Sequence, residues 1–319
     1  MNNNSSRQKI IIDTDPGQDD AVAILLALAC PDELDVLGIV AIAGNVGLHK
    51  NAKNALKIVE LAKKTQTIKT YAGCDRPMRR PLVTAEHVHG KTGLDGSDLP
   101  EPETSLEATH GVDFIIETLL NAQKGEITIC ALGPLTNIAM ALVRAPQIGE
   151  KIKQIVLMGG GHFEGGNITP AAEFNIYVDP EAADIVLRSG VAITMIPLDV
   201  THQALATKKR LEAIKNLGNK SGKTIYNMLT FSESFDLKKY RWDGAPLHDP
   251  CVIAYLLEPD IFSGRFINVE VEVASELTRG MTVADYWVVT DKKPNVNYLR
   301  HVDADGLFAL LTERLARLP

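Results

Sequence analysis

The sequence predicts an α/β fold with a doubly wound, mainly parallel sheet, helices on both of its faces and a small antiparallel hairpin near the C-terminus. Two observations favour this fold class. Short apolar runs alternate with longer helix-like segments through most of the 319 residues, which is the pattern of consecutive βαβ units. Runs such as KIIID at Lys9–Asp13 are apolar at successive positions, so both faces of such a strand are covered.

In chain order, predicted strands alternate with predicted helices as far as residue 196. The strands are Lys9–Asp13, Val36–Ala43, Thr67–Tyr71, Glu126–Ala131, Gln154–Met158 and Val191–Ile196. The helices are Asp20–Ala29, Gly47–Lys64, Gly111–Ala122, Leu135–Ala145 and Pro180–Ser189. Two long segments without either pattern remain, Cys74–Thr109 and Gly159–Asn175. Because loops of that length in a compact domain are more often functional than idle, we expect them near a site.

Beyond Leu198 the pattern changes, and polar and aromatic sequence without a clear period extends up to His248. Alternating apolar residues on either side of SELTRG predict the two strands of the hairpin. The predicted segments are a basic helix, a second helix, the two hairpin strands and a closing amphipathic helix, at Thr207–Asn216, Pro250–Leu257, Phe266–Val273, Met281–Val289 and Asp303–Leu318. We expect a disordered polar leader at residues 1–8 and a single domain over residues 9–319.

Charge and composition favour a small-molecule partner. The formal net charge is -7, with acidic and basic residues mixed along the chain, whereas a nucleic-acid partner would need a basic face. The longest apolar stretch, Ala21–Cys30, is far shorter than the ~20 residues of a membrane-spanning helix. The leader has no apolar core of a secretory signal, so we expect a cytoplasmic protein, in which the four scattered cysteines stay reduced.

A cluster of carboxylates lies in the run DTDPGQDDA. Asp13 and Asp15 close the first predicted strand, and Asp19 and Asp20 open the next helix. Four aspartates in eight residues repel one another, so without a cation their pKa values would rise. Oxygen ligands without His or Cys select a hard cation, Ca²⁺ or Mg²⁺. The carboxyl end of a strand in an open α/β sheet is also where ligands bind.

Two other interpretations apply to this run. A single Asp at the start of a helix commonly stabilises the helix terminus and nothing more. A DxD after a strand also occurs in phosphatases of the haloacid dehalogenase type, but those enzymes are expected to carry a DxDGT/V-like turn. Here Pro16 and Gly17 follow the second aspartate, so the full pattern DxDPGxDDA favours a different family.

That pattern resembles the N-terminal hallmark of the inosine–uridine-type nucleoside hydrolases. The likeness runs from about Lys9 to the final helix through motifs in the family's order: AGN (43–45), HVHG (87–90), LGPLTN (132–137), MGGG (158–161), NITPAAEFN (167–175), DPEAA (179–183) and HDP (248–250). The resemblance implies a doubly wound sheet, one Ca²⁺ per subunit, hydrolysis of the N-glycosidic bond of ribonucleosides and a homodimer or homotetramer.

The resemblance also implies roles for individual residues. The implied calcium ligands are three carboxylates and one backbone carbonyl, at Asp15, Asp20, Asp249 and Leu132. The implied ribose contacts are Asp19, Asn45, Asn167, Glu173 and Asn175. His89 and His248 would lie near the base, and Asp13 would orient the other carboxylates.

The implied reaction passes through an oxocarbenium-like state. It needs a base for the attacking water, for which Asp15 is the candidate, and His248 could protonate the departing nucleobase. Tyr240 and Trp242 are the candidates for stacking on that base. TPAAEFNIYVDPEAA and GAPLHDPC look most like the bacterial pyrimidine-leaning members, so we expect uridine and cytidine to be slightly favoured.

Two further functions stay open from the residues alone. A metal-dependent phosphoesterase acting on nucleotides would use the same DxD and would need a cation for the phosphate, which Arg76, Arg79 or Arg80 could supply. A non-catalytic, calcium-dependent nucleoside-binding protein would bind ribose without turnover.

Overall fold

The computed structural model describes residues 7–319, with the side chains at 234, 236 and 238–240 left out of the description. Most of the predicted leader, residues 1–6, therefore lies outside the described residues. Strand β1 begins at Gln8, one residue earlier than predicted. Among the described residues, no helix is long and apolar enough to cross a membrane.

Strands and helices alternate through the first two thirds of the chain, as predicted. They are β1 (Gln8–Thr14), α1 (Gln18–Leu28), β2 (Leu34–Ala41), α2 (Leu48–Leu61), β3 (Thr70–Ala72), α3 (Glu86–His89), α4 (Gly111–Leu120), β4 (Ile127–Ala131), α5 (Thr136–Arg144), β5 (Ile152–Met158), α6 (Phe174–Val178), α7 (Pro180–Leu187) and β6 (Ile193–Ile196). The short helix α3 lies in the first of the two long segments that the sequence left without a pattern, and α6 begins at the end of the second.

The last third adds short strands and further helices. They are α8 (Leu198–Thr201), β7 (Leu205–Thr207), α9 (Lys208–Lys215), α10 (Lys220–Tyr240), β8 (Gly244–Pro246), α11 (Pro250–Leu257), β9 (Phe262–Ile267), β10 (Val269–Val271), β11 (Thr282–Ala284), β12 (Val296–Val302) and α12 (Ala304–Leu315).

The main sheet has the order β3-β2-β1-β4-β5-β6-β12-β9. All neighbours in it are parallel except β12 and β9, which pair antiparallel at the edge. The chain proceeds from β1 outward through β2 and β3, and then returns to place β4 on the other side of β1. This reversal of strand order between β1 and β4 creates the crevice in which open α/β sheets bind ligands.

Each face of the sheet is covered by its own apolar core. One core packs helix α1 against residues such as Ile10 and Ile12 of β1, and the other contains Ile11 of the same strand. Successive residues of β1 therefore point into opposite cores, which explains the continuous apolar run. The predicted doubly wound architecture is confirmed.

The C-terminal hairpin is confirmed in a shorter form, since Val269–Val271 pairs antiparallel with Thr282–Ala284. The prediction was wrong for the segments around it. Phe266 lies in β9 at the edge of the main sheet, and residues 285–289 lie in a turn and loop after β11. Strand β12, which the sequence analysis missed, is pulled into the main sheet by pairing with both β6 and β9.

Helix α10 is the largest element missed from sequence. Its apolar residues are interrupted by serines and threonines, so its period is weak, but it begins at a conventional cap: the Asn219 side chain accepts a hydrogen bond from the amide of Gly222. Ile225, Met228 and Leu229 are buried at helical spacing. They pack into the core on the side of α1, and this places α10 beside the sheet crevice.

Candidate active site

The crevice beside β1 and β4 contains a cavity formed by the two long loops and by helix α10. One part of its wall is polar and another is apolar. Its described lining includes Gln18, Asp19, Asn45, His87, His89, Leu132, Met158, Asn167, Glu173, Phe174, Asn175, Leu229, Ser232, Glu233, Phe235, His248 and Asp249. Nine of the residues singled out from sequence therefore converge on one cavity, namely Asp19, Asn45, His89, Leu132, Asn167, Glu173, Asn175, His248 and Asp249.

Asp20 is fixed in the first turn of α1. Its Oδ1 accepts a hydrogen bond from the Thr14 hydroxyl at 2.5 Å, and its Oδ2 accepts one from the Gly17 amide at 3.0 Å. The helix N-terminus places unpaired amides and a partial positive charge at this end. These contacts explain how a buried carboxylate is held at a defined position.

Asp15 is also buried, with 1% of its surface exposed. Its Oδ2 accepts a hydrogen bond from the Asn45 amide at 2.7 Å. Two glycines leave room for it: a Cβ at Gly44 would lie 2.0 Å from Oδ2, and a Cβ at Gly133 would lie 2.3 Å from Oδ1. The turns after β2 and β4 thus enclose the carboxylate at a distance that tolerates no side chain.

Asp19, Asp20 and Asp249 each present a carboxylate oxygen, and these three oxygens lie within 4.8 Å of one another. The structure therefore groups Asp19 with two of the expected metal ligands. A side-chain hydrogen bond joins Asp249 and Asp20. Burial and then the charges of Asp19, Asp20 and Asp15 raise the pKa of Asp249, and burial and the charge of Asp19 raise that of Asp20 to about 6. Burial also raises the pKa of Asp15.

This cluster fits a hard divalent cation. No Lys or Arg side chain lines the cavity in the part of the chain that the structure describes, so the carboxylates there lack a compensating positive charge. All the donors are oxygens, which is the preference of Ca²⁺ and Mg²⁺. The backbone carbonyl of Leu132 lies beside them at the end of β4, where it accepts a hydrogen bond from Asn175 at 2.7 Å.

Asp13 lies inside the sheet, near the end of β1. It is fully buried, and its Oδ2 accepts a hydrogen bond from Asn137 Nδ2 at 2.8 Å. Burial raises the pKa of Asp13 to about 8. Asn137 in turn accepts a hydrogen bond from the Cys74 amide at 2.8 Å, so Asp13 links β1 to the beginning of the first long loop.

A second polar group comes from the loop before α6. Glu173 is 2% exposed, and its carboxylate accepts hydrogen bonds from the amides of Gly160, Asn175 and Ile176 at 2.9 to 3.2 Å. Burial, opposed by these bonds, raises its pKa to about 7. Asn167 Oδ1 accepts a hydrogen bond from the Phe174 amide at 2.9 Å. Together with Asn175 they present donors and acceptors to the cavity.

Two histidines contact the cavity from different sides. His89 Nδ1 lies 2.6 Å from Gln18 Oε1, and burial lowers the pKa of His89, so its neutral form is favoured. His248 Nδ1 lies 2.7 Å from the Thr201 hydroxyl. His248 immediately precedes Asp249, and this adjacency brings a potential proton donor next to the carboxylate cluster.

One of the two expected base-stacking residues, Trp242, has a described side chain. The Tyr240 side chain lies outside the described residues. Trp242 packs edge-on against His202, with the ring centroids 4.9 Å apart. The ring centroids of His202 and His248 are 6.1 Å apart. The apolar and polar side chains that α10 presents to the cavity were missed from sequence, namely Leu229, Ser232, Glu233 and Phe235. The spacing of Ile225, Met228 and Leu229 was the available signal for this helix.

One of the three arginines considered for a phosphate, Arg80, is engaged elsewhere. Arg80 Nη2 lies 2.7 Å from Glu181 Oε1, and Arg80 also donates to the Val273 carbonyl at 3.0 Å. This arginine therefore ties the first long loop to α7 and to the end of the hairpin strand.

Comparison with known proteins agrees with this geometry. A family model described as inosine-uridine preferring nucleoside hydrolase matches residues 10–309. An uncharacterized protein of Schizosaccharomyces pombe is 51% identical, over 98% of this chain and 100% of its own. The pyrimidine-specific ribonucleoside hydrolase RihA of Enterobacter sp. strain 638 is 43% identical, over 97% of each chain.

The fold comparison leads to the same family. The purine-preferring ribonucleoside hydrolase from Gardnerella vaginalis superimposes with a TM-score of 0.90 at 33% identity, covering 97% of this chain and 98% of that one. The chain belongs to the inosine-uridine preferring nucleoside hydrolase family and is an N-glycosyl hydrolase of nucleosides.

Proposed function

We propose that the protein hydrolyses ribonucleosides to ribose and free base in a calcium-dependent reaction, and that it favours uridine and cytidine. One observation carries the proposal: a single cavity brings the carboxylate cluster of Asp19, Asp20 and Asp249 together with the polar loop that carries Glu173 and Asn175. The first group suits a cation, and the second suits a polyhydroxyl ring.

Asp15, Asp20, Asp249 and the Leu132 carbonyl would hold the calcium. When bound, it supplies positive charge that neutralises these carboxylates and acidifies the attacking water. Asp19 has an oxygen in the same cluster and also lines the cavity, so it is placed to accept a hydrogen bond from a ribose hydroxyl.

Asp15 is the proposed general base. Its Oδ2 is occupied by the Asn45 amide, and the glycine turns limit how far the carboxylate can shift. A carboxylate held in this way accepts the proton of a water molecule without first reorganising, which is the advantage of a preorganised site.

Asn167, Glu173 and Asn175 are the proposed ribose contacts opposite the carboxylate cluster, with Asn45 completing the set. Each of the three loop residues is itself fixed by hydrogen bonds to backbone. A site of buried polar groups rejects a sugar that lacks a hydroxyl, because the protein groups would lose partners. Ribonucleosides should therefore react faster than 2′-deoxyribonucleosides.

His248 is the proposed acid for the leaving base, with His89 nearby. The pyrimidine preference rests on the 43% identity to the pyrimidine-specific RihA. Because the Gardnerella enzyme named purine-preferring has the same fold, the preference must depend on the side chains of the cavity wall. Leu229, Ser232 and Phe235 of α10 belong to that wall, and Trp242 supports it through His202.

The test is ribose release over a panel of uridine, cytidine, inosine, adenosine and the 2′-deoxy forms. Turnover that is lost with chelator and restored by calcium, with the highest kcat/KM on a pyrimidine, supports the proposal. Phosphate release from nucleoside monophosphates without base release would indicate a phosphoesterase. Tight nucleoside binding without turnover would indicate a binding protein.

We also propose that the protein works as a homodimer or homotetramer in the cytoplasm, as the family resemblance implies. Light scattering of the purified protein at assay concentration measures the oligomer directly, and a monomer that turns over at full rate would contradict it.

A further inference from the structure

His248 is held from behind by a residue that no motif indicated. The Thr201 hydroxyl lies 2.7 Å from His248 Nδ1, and Thr201 is 0% exposed. We propose that Thr201 is a positioning residue for the reaction: its hydrogen bond with Nδ1 fixes the ring orientation of His248, so that Nε2 is the nitrogen that protonates the departing base. This inference rests on the proposed acid role of His248.

The position of Thr201 is set by regular secondary structure. It is the last residue of α8, which follows β6, a strand with a neighbour on each side in the main sheet. Its amide donates to the Pro197 carbonyl at 3.1 Å. The chain just beyond it is tied to the segment before His248, because the Leu247 amide donates to the Ala204 carbonyl at 3.0 Å. This hydrogen bond holds the segment after Thr201 against the segment that leads to His248.

The chemistry explains why a hydroxyl is needed at this place. As the C1′–N bond breaks, its electron pair moves to the base, and the Nε2–H proton of the imidazolium passes to an atom of that base. The Nδ1–H bond stays intact and continues to donate to the Thr201 oxygen. A partner at one ring nitrogen thereby fixes the orientation in which the other nitrogen gives up its proton, as the buried aspartate does in serine proteases. Without that partner, the ring can rotate or change tautomer.

The test compares two substrates that differ in their need for a proton. Uridine needs acid assistance, whereas p-nitrophenyl riboside has a leaving group that departs as an anion. We expect Thr201→Val to lower kcat on uridine about tenfold, which corresponds to the loss of one hydrogen bond, and to change kcat on p-nitrophenyl riboside less than about twofold. Thr201→Ser, which keeps the hydroxyl, should restore most of the uridine activity.

Thr136→Val is the matched control. Thr136 is also buried, and its hydroxyl donates to Asp179 at 2.7 Å, away from His248. Thr136→Val should change kcat on the two substrates by the same factor. If Thr201→Val does not fold, Thr201→Ala removes the hydroxyl without adding a methyl group and is measured in its place.

The outcomes separate this inference from the proposed function. If His248→Ala keeps kcat on p-nitrophenyl riboside, but the Thr201 variants lower kcat equally on both substrates or on neither, the positioning role is overturned while the acid role stands. If His248→Ala itself shows no difference between the substrates, the acid role fails, and the Thr201 inference fails with it. Absence of ribose release from the wild-type protein would overturn the proposed function instead.

Discussion

At the scale of single residues, the carboxylates of this site are distinguished by what holds them. Asp15 is fixed by an amide and two glycine turns, Asp20 by a hydroxyl and an amide at a helix start, and Asp249 by its contact with Asp20. Chemically identical side chains can therefore have different tasks, because their surroundings differ.

Asp15→Asn should lower kcat for uridine by at least about 100-fold, since an amide cannot accept the proton that a general base takes. The protein should still fold, because the variant removes a charge from a crowded buried site. Ribose release and circular dichroism measure the two effects. Asp32→Asn, an exposed aspartate, is the control and should be indistinguishable from wild type. Wild-type turnover in Asp15→Asn would overturn the assigned base.

The buried carboxyl of Glu173 should make the stability of the protein depend on pH. Its pKa in the folded protein is about 7, above the usual value of ~4.3, so the unfolded chain loses its proton first. The contribution of Glu173 to stability is therefore greatest below about pH 4 and declines as the pH rises to 7. Relative to wild type, Glu173→Gln should gain up to about 3 kcal/mol in unfolding free energy between pH 4 and 8.

Urea unfolding of both proteins at several pH values measures this difference. The comparison isolates Glu173, because other titrating groups are common to both proteins. A difference between the two proteins that does not vary with pH would show that Glu173 ionises normally in the folded state.

A cation site in the DxDPGxDDA run could be predicted from sequence, because its four aspartates are close together in the chain and repel one another. The part played by Asp249 depended on a family resemblance, since no local pattern connects it with Asp20. The contact between Thr201 and His248 could not be predicted in either way. It arises from packing between segments 47 positions apart, and a lone threonine in an apolar run carries no signal.

At the scale of elements, the turns after β2 and β4 determine the shape of the catalytic centre. Gly133→Ala should reduce kcat by about 100-fold, the loss expected from a displacement of about 1 Å, because its Cβ would lie 2.3 Å from Asp15 Oδ1. The effect should be steric, since Gly133 does not have a positive φ.

Gly47→Ala is the matched control for this prediction. A Cβ at Gly47 meets no atom within 4 Å, so the variant should keep wild-type turnover. Equal activity in Gly133→Ala and wild type would show that Asp15 can move without loss.

Clear apolar patterns in the sequence allowed most elements of the parallel sheet to be predicted. The elements that were missed have weak patterns. The strands near β1 are continuously apolar because both faces are buried. Strand β12 escaped prediction because its sequence, VNYLRHV, neither alternates regularly nor forms a continuous apolar run. Helix α10 escaped because its serines and threonines lower the helical signal, while tertiary packing against α1 compensates for it.

At the scale of the whole molecule, the proposed cation site would connect distant parts of the chain. Its candidate ligands come from residues 15–20, 132 and 249, so calcium should bind the folded protein much more tightly than the unfolded chain. We expect chelator to lower the thermal midpoint by several degrees. At free calcium ~1,000 times its Kd, the stabilisation is about 4 kcal/mol.

Differential scanning calorimetry with and without chelator measures this effect. Asp249→Asn should bind calcium more weakly and show a smaller shift on chelation. An unchanged midpoint in the wild-type protein after complete removal of divalent ions would argue against a structural role for the cation.

The cavity wall formed by α10 has a consequence for how this enzyme could diversify. The carboxylates of residues 15–20 and the proposed sugar-binding loop lie on the parallel sheet and its crossovers, whereas much of the remaining wall lies on one helix that follows them in the chain. Mutations on that helix could alter which nucleosides are accepted while the bond-breaking apparatus stays unchanged. The set of nucleosides that the enzyme accepts could thus change through substitutions in a single helix of 21 residues.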